Sequence, residues 1–395
     1  MQQLGTSPKA APAPTVTCSR NRLLNCVPLR ASNVSRTDAA PQQQEERRRQ
    51  EHQAPAVILD DARTQNFMNW ARGPASIRFS GVKPSTFAGI RGLLASKDIS
   101  NDDLIVEVPR RSALVLAPKQ RNSCQGLVTD EWWKSAPWFA KLAAMILWHK
   151  RQGAQSPLAP WIAQLPSSTG VPVLWSDSQL QALQYPPLIA QVQEQRREWQ
   201  QLYDTFLTSA TTATTAANQQ PKPKPTSSPT SSSPPPSSPP SREEFFWAMS
   251  VVRSRTFSGP YIGSSLPDRL RLLGLVGALM ACNTALGLAD LPHSLSAALA
   301  VVLFNVLYEV ILSRSLKQHA ICPLIDLFNH SSAVQSEVSY NYFGDSYCVV
   351  ASRDVKQGEQ VFISYGPQSN DSLLQYYGFS EPANQHDTHI LTDML

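Results

Sequence analysis

The chain has 395 residues, 42% of them apolar and 16% charged, with a formal net charge of +5. That much apolar material can bury a real core, which excludes a chain that is disordered throughout. The positive excess is spread thinly, and its densest run, Arg47 to Arg49, lies between Glu45, Glu46 and Glu51, so it reads as a solvated segment and argues against a nucleic-acid partner.

In chain order, residues 1–60 read as an unstructured leader. Residues 1–37 contain Lys9, Arg20, Arg22, Arg30 and Arg36 but no acidic residue before Asp38. An acid-poor, Arg- and Ser-bearing start without an apolar secretory core has the composition of an organelle transit peptide; a merely disordered terminus is the alternative. The six cysteines, Cys18, Cys26, Cys124, Cys282, Cys322 and Cys348, form no CxxC pair and no zinc-finger spacing. Reduced thiols and no bound metal are expected, with His319, Cys322 and His330 read as scattered core or surface residues.

Residues 131–150 and 187–206 show helical periodicity around Trp and Leu, joined by a Pro-punctuated stretch at 161–175. They predict a helical lobe over about 130–208. The tract 209–241 carries nine prolines, no carboxylate and no aromatic residue, and it predicts a flexible or polyproline-like loop inserted into one domain. Immediately after it, Ser241 followed by Glu244 predicts a capping box at the start of an apolar helix.

Two further apolar runs, 272–289 and 295–312, have Arg269, Arg271, Arg314 and Lys317 around them. Asn283, Thr284, Asn305 and Glu309 interrupt them, and each barely reaches the length of a membrane span. Buried helices are therefore expected rather than a membrane hairpin. Lastly, ASKDISNDDLIVEV from Ala95 echoes ASRDVKQGEQVFIS from Ala351. Each reads as a strand end, an Asp-containing turn and a β-branched strand, which predicts a β core assembled from both ends of the chain.

Three segments carry the chemistry: AGIRGLLA from Ala88, PLIDLFNHSS from Pro323 and EQVFISYGPQSNDSLLQYYGF from Glu359. Each alone is weak, since a lone turn or a strand-end tyrosine is ordinary. In this order, together with NFMNWARG from Asn66, WIAQLP from Trp161 and SRTF from Ser254, they resemble the SET domain, in the branch of the Rubisco large-subunit lysine methyltransferases. The resemblance covers about residues 66–379, broken by the low-complexity tract.

The resemblance implies an α+β fold: a β core of short strands with a pseudoknot-like C-terminal threading and an inserted helical lobe, filling residues 61–379. It also implies transfer of a methyl group from S-adenosylmethionine to a lysine of a non-histone protein, the Rubisco large subunit or another chloroplast protein. By the same resemblance Tyr365 is the catalytic tyrosine, its hydroxyl beside the reacting methyl and amine. The cofactor would be held by Gly89, Ile90, Arg91 and Gly92 of the N-terminal loop, Arg255 near its carboxylate, Asn329 and His330, and Tyr377, Gly378 and Phe379 against the adenine. Asp326 is expected to fix the Asn329 loop by bonding backbone amides, a structural role being equally open.

Three departures from the family pattern stand out: no Cys-rich segment follows Phe379, residues 258–322 are unusually long and apolar, and the helical substrate-binding lobe of relatives is expected to be absent, leaving 380–395 as a tail. The expected partner is a protein with a target lysine, bound by a monomer away from membranes. The expected compartment is the chloroplast, with cytoplasm or nucleus as alternatives. Two other functions stay open: a catalytically silent SET fold that only binds, and methylation of a histidine.

Overall fold

A computed structural model describes residues 56–219, 238–258, 266–288, 290–307, 318–341 and 344–388. The chain divides into two units, Met1–Arg49 and Gln50–Leu395, and every described residue belongs to the second. Residues 1–55 of the expected leader and most of the Ser/Pro tract lie outside the described residues, while Val57–Ile58, expected to be unstructured, form a strand.

The chain enters through β1 (Val57–Ile58) and helix α1 (Ala62–Arg72), then runs through β2 (Arg78–Phe79), β3 (Val82–Phe87), β4 (Ile90–Ala95), β5 (Leu104–Pro109) and β6 (Leu114–Leu116). A helical insertion follows: α2 (Asp130–Ser135), α3 (Trp138–Gln152), α4 (Ala159–Gln164), α5 (Asp177–Gln181), α6 (Pro186–Gln219) and α7 (Arg242–Arg255). The chain re-enters the β core at β7 (Phe257–Ser258) and makes two helices, α8 (Leu266–Ala285) and α9 (Leu291–Leu307). It closes with β8 (His319–Ile321), β9 (Asn329–His330), β10 (Val338–Asn341), β11 (Ser346–Val350), β12 (Gln360–Ile363) and α10 (Asn370–Tyr377).

The strands form three small sheets, ordered β1-β3-β4-β12-β9, β10-β11-β5-β2 and β6-β8-β7. Each unites N-terminal with C-terminal strands, as the internal echo predicts. The echoed turns meet reciprocally: Asp98 accepts the Gln357 N–H at 2.9 Å, Asp354 accepts the Asn101 N–H at 2.8 Å, and Ile99 bridges Val355 between them. Asp98 and Asp354 hold the same place in the two echoed segments, so one turn chemistry used twice ties the chain ends together.

The helical periodicity at 131–150 resolves into two helices because Pro137 has no N–H and can only begin a helix, which ends α2 at Ser135 and starts α3 at Trp138. Ser241 caps α7 as predicted: its hydroxyl accepts the Glu244 N–H and the Glu244 carboxylate accepts the Ser241 N–H. Phe245, Phe246, Met249 and Val252 are then buried along one stripe, with Phe246 edge-on to Trp199 and Phe245 against Phe206. Ser241→Ala is expected to cost about 1 kcal/mol of stability, read as a lower urea midpoint with an unchanged slope.

Two expectations need correction. The tract from 209 onward was expected to be loop, but α6 continues to Gln219. The first part of the tract is Ala and Thr rather than Pro, and the hydroxyls of Thr211, Thr212, Thr214 and Thr215 each return a hydrogen bond to the carbonyl four residues earlier. The described helix reaches Gln219, two positions before the first proline of the tract, Pro221. The apolar runs at 272–289 and 295–312 were expected to be buried helices. Their described parts form two helices in contact, α8 and α9, on which Leu275, Leu279, Leu299 and Leu303 are exposed. Among the described residues no helix is long and apolar enough to cross a membrane. The pair is inserted between β7 and β8, which are themselves hydrogen-bonded neighbours.

Candidate active site

The site is built where the two ends of the chain share a sheet. Strand β12 pairs antiparallel with β4 through Gln360 and Val361, and parallel with β9 through Phe362↔Asn329 and Ile363↔His330. The parallel pairing lays the Asn-His dipeptide beside the strand that delivers Tyr365. Helix α7 reaches the same place from the insertion and ends on Arg255.

Tyr365, Arg255, Asp326 and Tyr377 line one cavity of about 310 Å³, with Phe328 in its wall and the exposed Glu337 among its lining residues. The Tyr365 hydroxyl donates to the Phe328 carbonyl at 2.6 Å, and its ring lies 4.8 Å from that of Tyr377. Burial pushes both phenols above their ordinary pKa, so they stay protonated through the neutral range. With its hydrogen spent on Phe328, the Tyr365 oxygen keeps its lone pairs for a positively charged neighbour.

The Arg255 side chain is 18% exposed and its Nε lies 4.0 Å from Asp326 Oδ2. Burial lowers the Arg255 guanidinium and Asp326 opposes this. Burial raises the Asp326 carboxyl, with Arg255 pulling it back. The bond of Asp326 differs from expectation: Oδ2 accepts the indole N–H of Trp161, buried on α4, at 3.0 Å, and a buried indole N–H calls for such a partner. Asp326 Oδ1 and Gln164 Nε2 are buried without hydrogen-bond partners.

Ala88 and Gly89 form a two-residue turn with φ of +48° and +83° between β3 and β4. A side chain at Gly89 would meet nothing within 4 Å, whereas one at Gly92 would strike the amides of Gln360 at 2.6 Å and Asn329 at 2.9 Å. Gly92 thus lets Asn329 reach β4, where its Nδ2 donates to the Arg91 carbonyl at 3.0 Å. The Arg91 side chain turns toward α4 and donates to the Gln164 carbonyl at 2.6 Å, and its guanidinium is lowered by burial and by the nearby Arg255.

The remaining residues stand one contact behind the cavity. His330 Nδ1 accepts the Tyr365 N–H at 3.0 Å and its ring stacks on Tyr365; Phe379 lies 6.2 Å from the same imidazole. Gly378, at φ +82°, ends α10 in the left-handed region and packs on the Thr169–Gly170 backbone, where an added side chain would come within 2.9 Å of the Thr169 carbonyl. Ile90 is largely exposed on its hairpin and, with Gly89, does not line the cavity. Among the described residues no cluster of metal-ligating side chains is present.

Sequence reasoning passed over three residues here. Gln164 sits in the quoted WIAQLP without being assigned, Glu337 follows a loop of small residues, and Glu381 lies just past Phe379 in what was expected to be a tail. That segment is tied into the fold: Glu381 accepts the Ser332 N–H at 3.0 Å, and Asp387 accepts the Asn370 N–H at 2.9 Å. The acceptor-rich EPANQHD after YGF was the signal available.

A strand-end tyrosine and a closing aromatic helix line one cavity, with an Asn-His loop directly behind it. The family model described as SET domain matches residues 90–366, and the chain belongs to that family. Among relatives it is 25% identical over 343 residues to the pea (Pisum sativum) chloroplastic ribulose-1,5 bisphosphate carboxylase/oxygenase large subunit N-methyltransferase, covering 83% of this chain and 53% of the relative. It is 24% identical over 345 residues to the Arabidopsis thaliana chloroplastic [fructose-bisphosphate aldolase]-lysine N-methyltransferase, covering 83% of this chain and 54% of the relative. The SET domain of LSMT, solved with lysine and AdoHcy, superposes with a TM-score of 0.53 at 20% identity over 82% of this chain and 58% of that one. The chain thus spans about half the length of the curated relatives it matches.

Proposed function

We propose that this chain is a protein-lysine N-methyltransferase that uses S-adenosylmethionine. The observation that carries the reading is the cavity in which the Tyr365 oxygen, with its hydrogen already spent on Phe328, lies among the lining residues with Arg255 and Tyr377. When bound, S-adenosylmethionine supplies a methyl group on a cationic sulfur that an amine can displace in line.

The residues present fit such a ligand. Two guanidiniums, Arg91 and Arg255, both act on the carboxylate of Asp326, and they offer positive charge for the cofactor's carboxylate. Tyr377 and Phe379 offer rings for a base, and the open face at Gly89 leaves backbone groups approachable. Asp326 Oδ1 and Gln164 Nε2 retain hydrogen-bonding capacity for polar atoms of a ligand.

The division of labour follows from the protonation states. Because burial keeps Tyr365 and Tyr377 protonated, neither can serve as the base that frees the lysine amine at neutral pH. The amine therefore gives its proton to solvent, and Tyr365 contributes lone pairs that face the charge as transfer proceeds. The Glu337 carboxylate draws the cationic lysine toward the cavity before it loses that proton.

The acceptor we infer is a non-histone chloroplast protein. The two relatives named as chloroplastic and the acid-poor composition of residues 1–37 support this. The test is transfer of labelled methyl from S-adenosylmethionine to chloroplast stromal proteins, Rubisco among them, with the modified residue located by tandem mass spectrometry. Label on a lysine is the expected result. Absence of label on any protein, with the donor bound, would favour the silent binding module.

A further inference from the structure

We propose that Glu381 is a positioning residue for methyl transfer, whose carboxylate holds the imidazole of His330 in the tautomer that fixes the backbone of Tyr365. The proposal rests on the methyltransferase reading of the same cavity, but its first observable does not require turnover.

The chain of contacts is short. Tyr365 donates its backbone N–H to His330 Nδ1 at 3.0 Å, and that nitrogen can accept only if it carries no proton. The ring proton of neutral His330 must then sit on Nε2, which faces Glu381 Oε2 at 3.6 Å. That spacing is an ion-pair contact longer than a direct hydrogen bond, so the carboxylate acts through its charge on the Nε2–H dipole. Both groups are shielded, with side chains 1% and 19% exposed for His330 and Glu381, so water competes weakly with this interaction.

Glu381 is itself held on two sides. Its carboxylate accepts the Ser332 N–H at 3.0 Å, in the loop that follows His330. Its own N–H donates to Asn370 Oδ1 at 2.9 Å, and its carbonyl accepts from Asn370 Nδ2 at 3.2 Å, which ties it to the start of α10. Glu381 therefore joins the Asn-His loop through its carboxylate and the helix that carries Tyr377 through its backbone. The His330 ring also stacks on Tyr365 at 5.1 Å, so turning the imidazole would displace both the backbone and the ring of that tyrosine.

The arrangement has a pH signature. His330 is faced by Glu381 and His386 from the segment after α10, by the Ile363 carbonyl from β12, and by Tyr365. Burial lowers its pKa, Glu381 opposes that, and His386 adds to it. A proton on Nδ1 would set two donors against each other and break the bond to the Tyr365 N–H. Glu381 thus brings this acid-side loss nearer to neutrality than it would otherwise be, and removing its charge moves the loss to lower pH.

The experiment uses the full chain with ¹⁵N-labelled histidine in wild type, Glu381→Gln and Glu381→Ala, each followed by NMR and by methyl transfer from S-adenosylmethionine. In wild type and Glu381→Gln the His330 resonances are expected to report the Nε2–H tautomer, because the amide oxygen of glutamine can still face that hydrogen. In Glu381→Ala they are expected to report mixed tautomers, with kcat lower by up to about a hundredfold and KM for the donor little changed. Rates of Glu381→Gln are taken as a ratio to wild type at each pH, which cancels the lysine's own titration, and the ratio is expected to rise as pH falls. A flat ratio together with an unchanged His330 tautomer in Glu381→Ala would overturn the proposal. A wild-type protein that transfers no methyl would sink the methyltransferase reading alone, and the tautomer in Glu381→Ala would then decide the fate of the Glu381 contact.

Discussion

Replacing Tyr365 by phenylalanine is expected to lower the rate of methyl transfer on the order of 10²- to 10³-fold, the loss typical of one preorganised polar group aimed at developing charge. The ring stays, so its packing on His330 and Tyr377 persists and donor affinity should hold. The lost group is an oxygen whose hydrogen is donated to the Phe328 carbonyl, and with it go that bond and the lone pairs left for developing charge. The pH dependence separates this role from that of a base. A free lysine has a pKa near 10.4, so the rate should climb through the alkaline range as the amine loses its proton, in Tyr365→Phe as in wild type. A variant that lost this rise would show Tyr365 taking the proton, contrary to a phenol held protonated by burial.

Trp161 is expected to give the largest loss of stability from a single side chain. It is fully buried on α4, and its indole N–H supplies the bond to Asp326. Trp161→Ala should cost about 3–5 kcal/mol from the cavity it leaves. Trp161→Phe keeps most of the volume but strands a buried carboxylate oxygen, and it should cost about 1–3 kcal/mol. Denaturant titration of both variants separates packing from hydrogen bonding. If Trp161→Phe were as stable as wild type, Asp326 would be held by Arg255 alone.

What could be read in advance follows the range of each interaction. The capping box at Ser241 was visible because its two partners lie one helical turn apart, and the shared β core was visible because the same turn chemistry occurs twice, at Asp98 and Asp354. The order of the DLFNHS and SYG…YYGF segments pointed to the SET fold, and the structure lays them on adjacent strands. Partners distant in sequence stayed hidden: nothing local says that Asp326 takes its hydrogen bond from Trp161, or that a glutamate beyond the last motif faces His330.

Periodicity also fails to distinguish an apolar helix that is covered from one that is not, since both repeat Leu and Val in the same way. Helices α8 and α9, with Leu275, Leu279, Leu299 and Leu303 exposed, show this, and so does α6, where an Ala/Thr segment with good internal hydrogen bonds was grouped with the proline tract that follows it.

Calorimetric titration of the chain with S-adenosylmethionine is the most direct measurement, because the whole account depends on a sulfonium donor occupying the cavity of Arg255, Asp326 and Tyr365. Saturable binding of one molecule per chain is predicted, weakened about tenfold or more in Arg255→Lys, which keeps the charge but loses the planar fork. A protein that takes up no S-adenosylmethionine, or binds it equally well without the Arg255 guanidinium, would contradict the account.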